Sequence, residues 1–424
     1  MTVTDRETVA VEIRGWLGQQ WDPSLSLVEW RSRLAAAGWA NPSWPAGLGG
    51  RGLPEWSDGV VAAALAEVGA PGPPAGVGMA LAAATILEHG SNDVQQRFLP
   101  KSITGEYTWC QLFSEPGAGS DLAGVTAHAV RDGDSWIVNG QKVWNTSAHH
   151  ADYGMLVART DWDAPKHRGL TYFALPMHQS GVAVRPLRQM NGHASFNEVF
   201  LDDAVIPPGH VVGAVGSGWT VALTTLAHER AGFRRIMALS RPMAAGDRNA
   251  ARGRARSEAE TERVIASAPY TWYPQRAGRV DLLPERARAH GRDTDPVVRQ
   301  DLAKVLTLAR IADWTASRAA AARVLGKSPG AEGSIGKLAA SKIARAASHA
   351  HALIAGAAAL CTGADGPCDG VIAEILVSVP AVSIAGGTDE IQHNILAERV
   401  LGLPKEPDMS ATAPFRDVPR NASR

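Results

Sequence analysis

Apolar residues recur at helical spacing through the first quarter of the chain. Segment 25–34 carries Leu25, Leu27, Val28, Trp30 and Leu34 in a pattern that predicts an amphipathic helix. Segment 57–68 is rich in alanine and ends at Gly69, a helix-stop signal, and 79–89 and 91–99 predict two further helices. Between them, 41–52 is a loop rich in proline and glycine. From about residue 109 the pattern becomes strand-like. Segments 135–144, 153–158, 170–175, 182–184 and 196–201 predict strands. Asn139-Gly140 lies between two apolar stretches and predicts a tight hairpin, because both turn residues tolerate positive φ. From Trp219 to about Leu401 the helical period returns. It breaks over 242–292, where arginines are frequent and large aliphatics few, and this stretch is expected to be a solvated, partly disordered insertion. A lid or phosphate-attracting surface is the alternative. The tail beyond Pro404 carries Pro407, Pro414 and Pro419 and is expected to be loose. The expected organisation is α+β: a helical domain over 1–108, a β-domain over 109–215, a helical bundle over 216–405 and a tail over 406–424.

Composition narrows the function. Hydrophobic residues make up 45% of the 424, enough for large interiors. Lys plus Arg equals Asp plus Glu at 42 each, so no global charge excess points to nucleic acid. Three scattered cysteines give neither a disulfide framework nor a metal site, which suggests a reducing, cytoplasmic setting. No apolar run reaches the roughly 18 residues of a membrane span. Of thirteen tryptophans, five (Trp16, Trp21, Trp30, Trp39, Trp44) precede residue 50 and are expected to anchor helix packing.

Three segments carry candidate chemistry. Residues 111–122 read Gln-Leu-Phe-Ser-Glu-Pro-Gly-Ala-Gly-Ser-Asp-Leu; glycines there allow backbone to approach a flat or phosphorylated ligand and turn N–H groups toward it. Residues 383–392 read Ser-Ile-Ala-Gly-Gly-Thr-Asp-Glu-Ile-Gln, a second glycine-bearing loop before a helix. On the helix from Trp219, Leu226, Glu229, Phe233 and Ile236 share one face. A carboxylate in an apolar stripe is costly unless paired, and its desolvation raises its proton affinity, which suits a base working near neutrality. An ion pair to Arg230 or Arg234, or a place at the helix edge, would also accommodate it.

Taken together, 111–122, the Trp144-Asn145-Thr146-Ser147 stretch, 383–392 and the 395–402 helix resemble the acyl-CoA dehydrogenases, and the resemblance covers about 28–407. It implies a helical domain, a β-domain and a helical bundle, with FAD as cofactor and an acyl-CoA as substrate. Many members carry a catalytic glutamate where Gly386 stands here. A second group carries it on the middle helix before an arginine, which matches His228-Glu229-Arg230. Glu229 is then the base. The Gly386 N–H would grip the thioester carbonyl, where enolate-like charge develops. Gln111, Phe113, Ser114, Gly119, Ser120, Trp144, Thr146, Gly387, Thr388 and Glu390 would line the flavin, and Ser120 and Arg230 the substrate. The resemblance further implies an electron-transferring flavoprotein as acceptor and a homo-oligomer, dimer or tetramer. Two family features depart from pattern: 284–291 only approximates an arginine-bearing stretch that reaches a neighbouring subunit's flavin, and 354–359 replaces glycines of a second such bend. These departures, with Gly386, leave two other readings open: a flavin-sharing subunit of a mixed oligomer, and a flavin monooxygenase or oxidase on the same fold.

Overall fold

The computed structural model describes residues 5–239, 253–324, 331–407 and 411–419. Five helices come first: α1 (Arg6–Gln20), α2 (Leu27–Ala36), α3 (Trp56–Val68), α4 (Ala84–His89) and α5 (Asn92–Thr104). Local chemistry fixes their ends. Ser26 and Glu29 close a capping box on α2, and Gly69 and Gly105 end α3 and α5 in the left-handed conformation. Trp30 and Trp39 are fully buried among Val9, Ile13, Leu34 and Val61, so the early tryptophans do anchor this core.

Seven strands follow: β1 (Trp109–Leu112), β2 (His128–Asp132), β3 (Ser135–Thr146), β4 (Tyr153–Arg159), β5 (Leu170–Pro176), β6 (Val182–Leu187) and β7 (Phe196–Ile206). They form one sheet in the order β1-β4-β2-β3-β7-β6, with β5 paired to β4. The predicted hairpin is misplaced by the Asn-Gly signal. The turn is Gly133-Asp134, with Gly133 at φ 58°, and Asp132 faces Ser135 across it. Asn139-Gly140 instead lies within β3, where the register against β7 shifts. Gly140 has φ 150°, and a Cβ there would meet the Ala127 Cβ at 2.5 Å. The glycine serves a bulge and a close backbone approach, not a turn.

The chain returns to helices: α6 (Gly218–Leu239), α7 (Arg254–Ser267), α8 (Tyr273–Arg276), α9 (Leu283–Ala289), α10 (Pro296–Val324), α11 (Glu332–Ala355), α12 (Val371–Ser378) and α13 (Asp389–Arg399). Helix α6 enters the core that joins all three parts, where Val221 and Ala222 meet Leu81 and Phe98 of the first helices and Val157 and Tyr172 of the sheet.

Two expectations are corrected. Residues 254–292 are helical rather than a solvated loop, while 242–252 lie outside the described residues. The segment is tied to the first helices across the domain boundary. Ala255 completes the first core, Arg256 donates to the Gly69 carbonyl at 2.6 Å, Glu258 accepts the Leu27 N–H at 2.7 Å, and Glu262 pairs with buried Arg31. Within the tail, residues 411–419 are also docked. Phe415 is buried beside Trp162 and under the Arg159 guanidinium, 3.4 Å from its ring centroid, and its N–H donates to the Ala164 carbonyl.

Candidate active site

The first candidate segment leaves β1 and turns over a buried ion pair. Lys142 on β3 is fully buried, and its ammonium donates to the Phe113 carbonyl at 3.0 Å, the Val157 carbonyl at 2.8 Å and the Glu115 carboxylate at 2.8 Å. Glu115 also accepts from the Thr126 N–H and hydroxyl and from the Ala127 N–H, at 2.7, 2.9 and 2.9 Å. Burial, the largest single effect, would raise the Glu115 carboxyl; the Lys142 charge and hydrogen bond together with the Thr126 and Ala127 N–H groups outweigh it and hold the group below the usual carboxylate range. For Lys142, burial dominates and lowers it, with Glu115 opposing. The loop bearing Phe113, Ser114, Gly119 and Ser120 is thus fastened at its base.

Strand β3 brings the second stretch alongside. The Val143 N–H donates to the Ser114 carbonyl at 2.9 Å. Trp144 has φ 65° and is 56% exposed, so it is not a core aromatic; its ring meets the edge of Phe196, at 5.8 Å between centroids. Thr146 pairs with Phe196 across the ladder. An exposed aromatic face held in an unusual backbone conformation, beside a threonine hydroxyl and the Ser114 segment, fits a flat heteroaromatic cofactor, and the Asn145 Oδ1 is buried nearby without a hydrogen-bond partner. The Phe113 side chain is buried against Tyr172, centroids 5.9 Å apart, and fills the three-part core. Only its backbone could face a cofactor.

The decisive contacts join three elements. Glu229, half-buried on α6, accepts from the Gln111 amide at 3.4 Å. A Cβ built on Gly386 would stand 3.7 Å from the Glu229 Oε1. Glu229, Gln111 and Gly386 therefore converge, although 118 residues separate the first two. Gly386 and Gly387 have φ 67° and 83°, which only glycine adopts freely, and the Gln392 amide donates to the Gly386 carbonyl at 3.1 Å. Thr388 has a structural role, capping α13 by accepting the Ile391 N–H at 3.2 Å. Glu390 is exposed. Asp389, between them, is buried and held by Lys337, Ser341 and Arg345 at 2.7, 2.7 and 3.0 Å. The Arg230 side chain lies outside the described residues. Buried Tyr270 and Tyr273 border the site; burial first, and the Glu229 charge among the lesser causes, raises both phenols.

Lys142, Asn145, Asn197 and the two tyrosines were not singled out by sequence reasoning. Lys142 reads there as an ordinary polar strand position, and only its pairing with Glu115 in space gives it a role.

Comparison with known proteins places this architecture. The chain matches the family models for the acyl-CoA dehydrogenase N-terminal domain over 7–106, middle domain over 110–204 and C-terminal domain over 279–401. Among curated relatives it is 37% identical over 377 residues to acyl-CoA dehydrogenase FadE34 of Mycobacterium tuberculosis, a match covering 88% of this chain and 46% of that protein. This chain therefore spans about half the length of FadE34. It is 33% identical over 425 residues to acyl-CoA dehydrogenase IpdE1 of the same organism, covering 95% of this chain and 99% of that one. Among solved structures, the ChsE4-ChsE5 complex from Mycobacterium tuberculosis superposes with a TM-score of 0.60 at 25% identity, covering 96% of this chain and all of that one. The steroid acyl-CoA dehydrogenase Tcur3481-Tcur3483 shares the fold, with a TM-score of 0.63 at 23% identity and the same coverages. The chain belongs to the acyl-CoA dehydrogenase family, a class of oxidoreductases of lipid metabolism. No helix among the described residues is long and apolar enough to cross a membrane.

Proposed function

We propose that this chain oxidises an acyl-CoA thioester between Cα and Cβ to the trans-2-enoyl-CoA, with Glu229 as the base. The observation that carries this reading is the meeting of the Glu229 carboxylate with the Gly386 backbone and the Gln111 amide. Glu229 takes the α-proton. The Gly386 N–H, with no side chain in its way, donates to the thioester carbonyl and stabilises the charge that develops as the proton leaves. FAD would supply the acceptor for the β-hydride, and an electron-transferring flavoprotein would take up the electrons. Ser114, Gly119, Ser120, Trp144, Thr146, Gly387 and the backbone at Phe113 would hold it, while Ser120 and Arg230 would face the substrate. The substrate we propose is a bulky acyl-CoA, the steroid type among them.

A second reading rests on a specific observation. Leu306, Ile311 and Trp314 on α10, and Val400 and Leu401 after α13, are exposed by half or more. Apolar exposure on this scale suits an assembly, either of identical copies or with a sister chain. In a mixed assembly the sister chain could share the flavin.

The test is an anaerobic titration of the purified chain with butyryl-, isovaleryl-, palmitoyl- and a steroid-side-chain acyl-CoA, following the oxidised flavin band. Bleaching by one of them supports the dehydrogenase reading. Glu229→Gln should keep the flavin and slow its bleaching by about 10²- to 10⁴-fold, the usual contribution of a positioned base. Unimpaired bleaching in that variant refutes Glu229 as the base. Absence of flavin from the parent, restored on adding a sister chain, moves the assignment to the mixed oligomer, and oxygen consumption on reduction marks an oxidase or monooxygenase.

A further inference from the structure

Gln111 does not stand by itself beside Glu229. Its backbone carbonyl accepts from the Asn145 amide at 2.7 Å, and the Asn145 carbonyl accepts from the Asn197 amide at 2.8 Å. Both asparagines are 1% exposed. One hydrogen-bonded line therefore runs from the start of β7, through the end of β3, to β1 and on to α6. Amide groups are neutral at every working pH, so the line is a fixed scaffold and not a proton wire. Its last donor, the Gln111 side-chain N–H, meets the carboxylate.

We propose that Gln111 is a positioning residue for Glu229: it holds the carboxylate beside Gly386 and favours its charged form. This rests on the reading of Glu229 as the base and reassigns Gln111, which the sequence places along the flavin. The chemistry is direct. An N–H donated to a carboxylate stabilises the anion and lowers proton affinity, while the partial burial of Glu229 pushes the other way. A base that is ionised before substrate arrives needs the first effect to offset the second.

Tyr270 and Tyr273 face the site from the segment after α7 and from α8, and both feel the Glu229 charge. Arg276 lies over the Tyr273 ring at 5.0 Å and acts on that phenol. On α6 itself, His228 approaches Glu88 of α4, at 3.6 Å. Asp389, beyond Gly386, is engaged by Lys337 of α11 and by Arg345. The side chains of 230–239 lie outside the described residues. Among these groups Gln111 is the neutral donor on the carboxylate, and its removal alters no net charge.

The experiment compares the parent, Gln111→Leu and Gln111→Glu, each as full-length flavin-loaded protein. The Glu229 carboxyl is titrated by difference infrared spectroscopy, subtracting the matched Glu229→Gln protein so that the acid C=O band reports Glu229 alone. Loss of the donor should raise the midpoint in Gln111→Leu by about half to one pH unit, the scale of one hydrogen bond to a charged group. The like charge of Gln111→Glu should raise it further. If Glu229 is the base, the acid limb of flavin reduction by whichever acyl-CoA bleaches the parent moves by the same amount. An infrared midpoint unchanged in both variants overturns the proposal. An infrared shift with unimpaired bleaching in Glu229→Gln upholds the positioning and sinks the base. Should Gln111→Leu fail to fold, the isosteric Gln111→Glu decides alone.

Discussion

Lys142→Met would test whether the floor of the flavin-facing loop depends on one buried ammonium. Methionine nearly matches the lysine stem in volume, so the change removes three hydrogen bonds and a charge without opening a large cavity. Glu115, 7% exposed, would keep its three donors from Thr126 and Ala127 but lose its counter-ion, and the carbonyls of Phe113 and Val157 would lose a shared donor. Breaking one side of a buried pair costs about 3–5 kcal/mol because the surviving charge is uncompensated. At 1 to 2 °C per kcal/mol for a chain of this size, Tm falls by roughly 5 °C. The double variant Lys142→Met, Glu115→Gln should fall by less than the sum of the single changes, since neither charge is then stranded. Thermal scanning of the loaded protein reads stability, and gel filtration followed by a flavin spectrum reads cofactor retention. Lys142→Met should lose flavin more readily, because the segment carrying Ser114 is pinned through the Phe113 carbonyl. A Tm within about 1 °C of the parent, together with full flavin retention, would refute the assignment of this pair as the fastener of the loop.

Two further outcomes follow from the geometry. Gly140→Ala should destabilise the sheet by about 2–4 kcal/mol, read by urea unfolding. Its Cβ would fall 2.5 Å from that of Ala127 at a φ rarely open to L-residues, so both the strand and the bulge would have to move. Asp389 is held below the usual carboxylate range: burial would raise it, and Lys337, Ser341 and a further hydroxyl outweigh that. Because its folded value is depressed, its contribution is fully present above the ordinary aspartate value near 4 and is lost as pH falls from there through the folded value. Asp389→Asn should flatten the acid limb of a Tm-against-pH curve, and an unchanged acid limb would contradict the assignment.

Much of the architecture is legible in the sequence because periodicity reports which face is buried. The early tryptophans, the strand runs at 153–158 and 170–175 and the helical return at 219 all lie where the pattern puts them. The misreadings share a physical cause, in that a local signal was outweighed by a distant partner. Asn139-Gly140 carries hairpin chemistry, yet Ala127 needs the space a Cβ would take, so the glycine serves a bulge. The arginines of 254–292 read as solvated until Gly69 appears as the acceptor of Arg256 and Glu258 as that of Arg254, while Glu262 of the same segment reaches Arg31 in the first helices. The tail reads as loose until Phe415 meets Arg159. In the candidate site, the glycine-rich loop and Glu229 are recognisable as motifs. The Asn197–Asn145–Gln111 line is not, because each asparagine amide donates to a backbone carbonyl, so residue type marks the donors and not their partners.

The clasp of α7 over the first helices has a bearing on how the protein is made. Leu27 and Arg31 find their partners Glu258 and Glu262 231 positions later, and Ala255 fills the same interior as Trp30. At synthesis rates of about 5–20 residues per second, the amino-terminal helices wait roughly 10–50 s at the ribosome before the segment that closes them exists. Through that interval the face around Arg31 stays open, so the vulnerable stage of biogenesis belongs to the helices translated before α7.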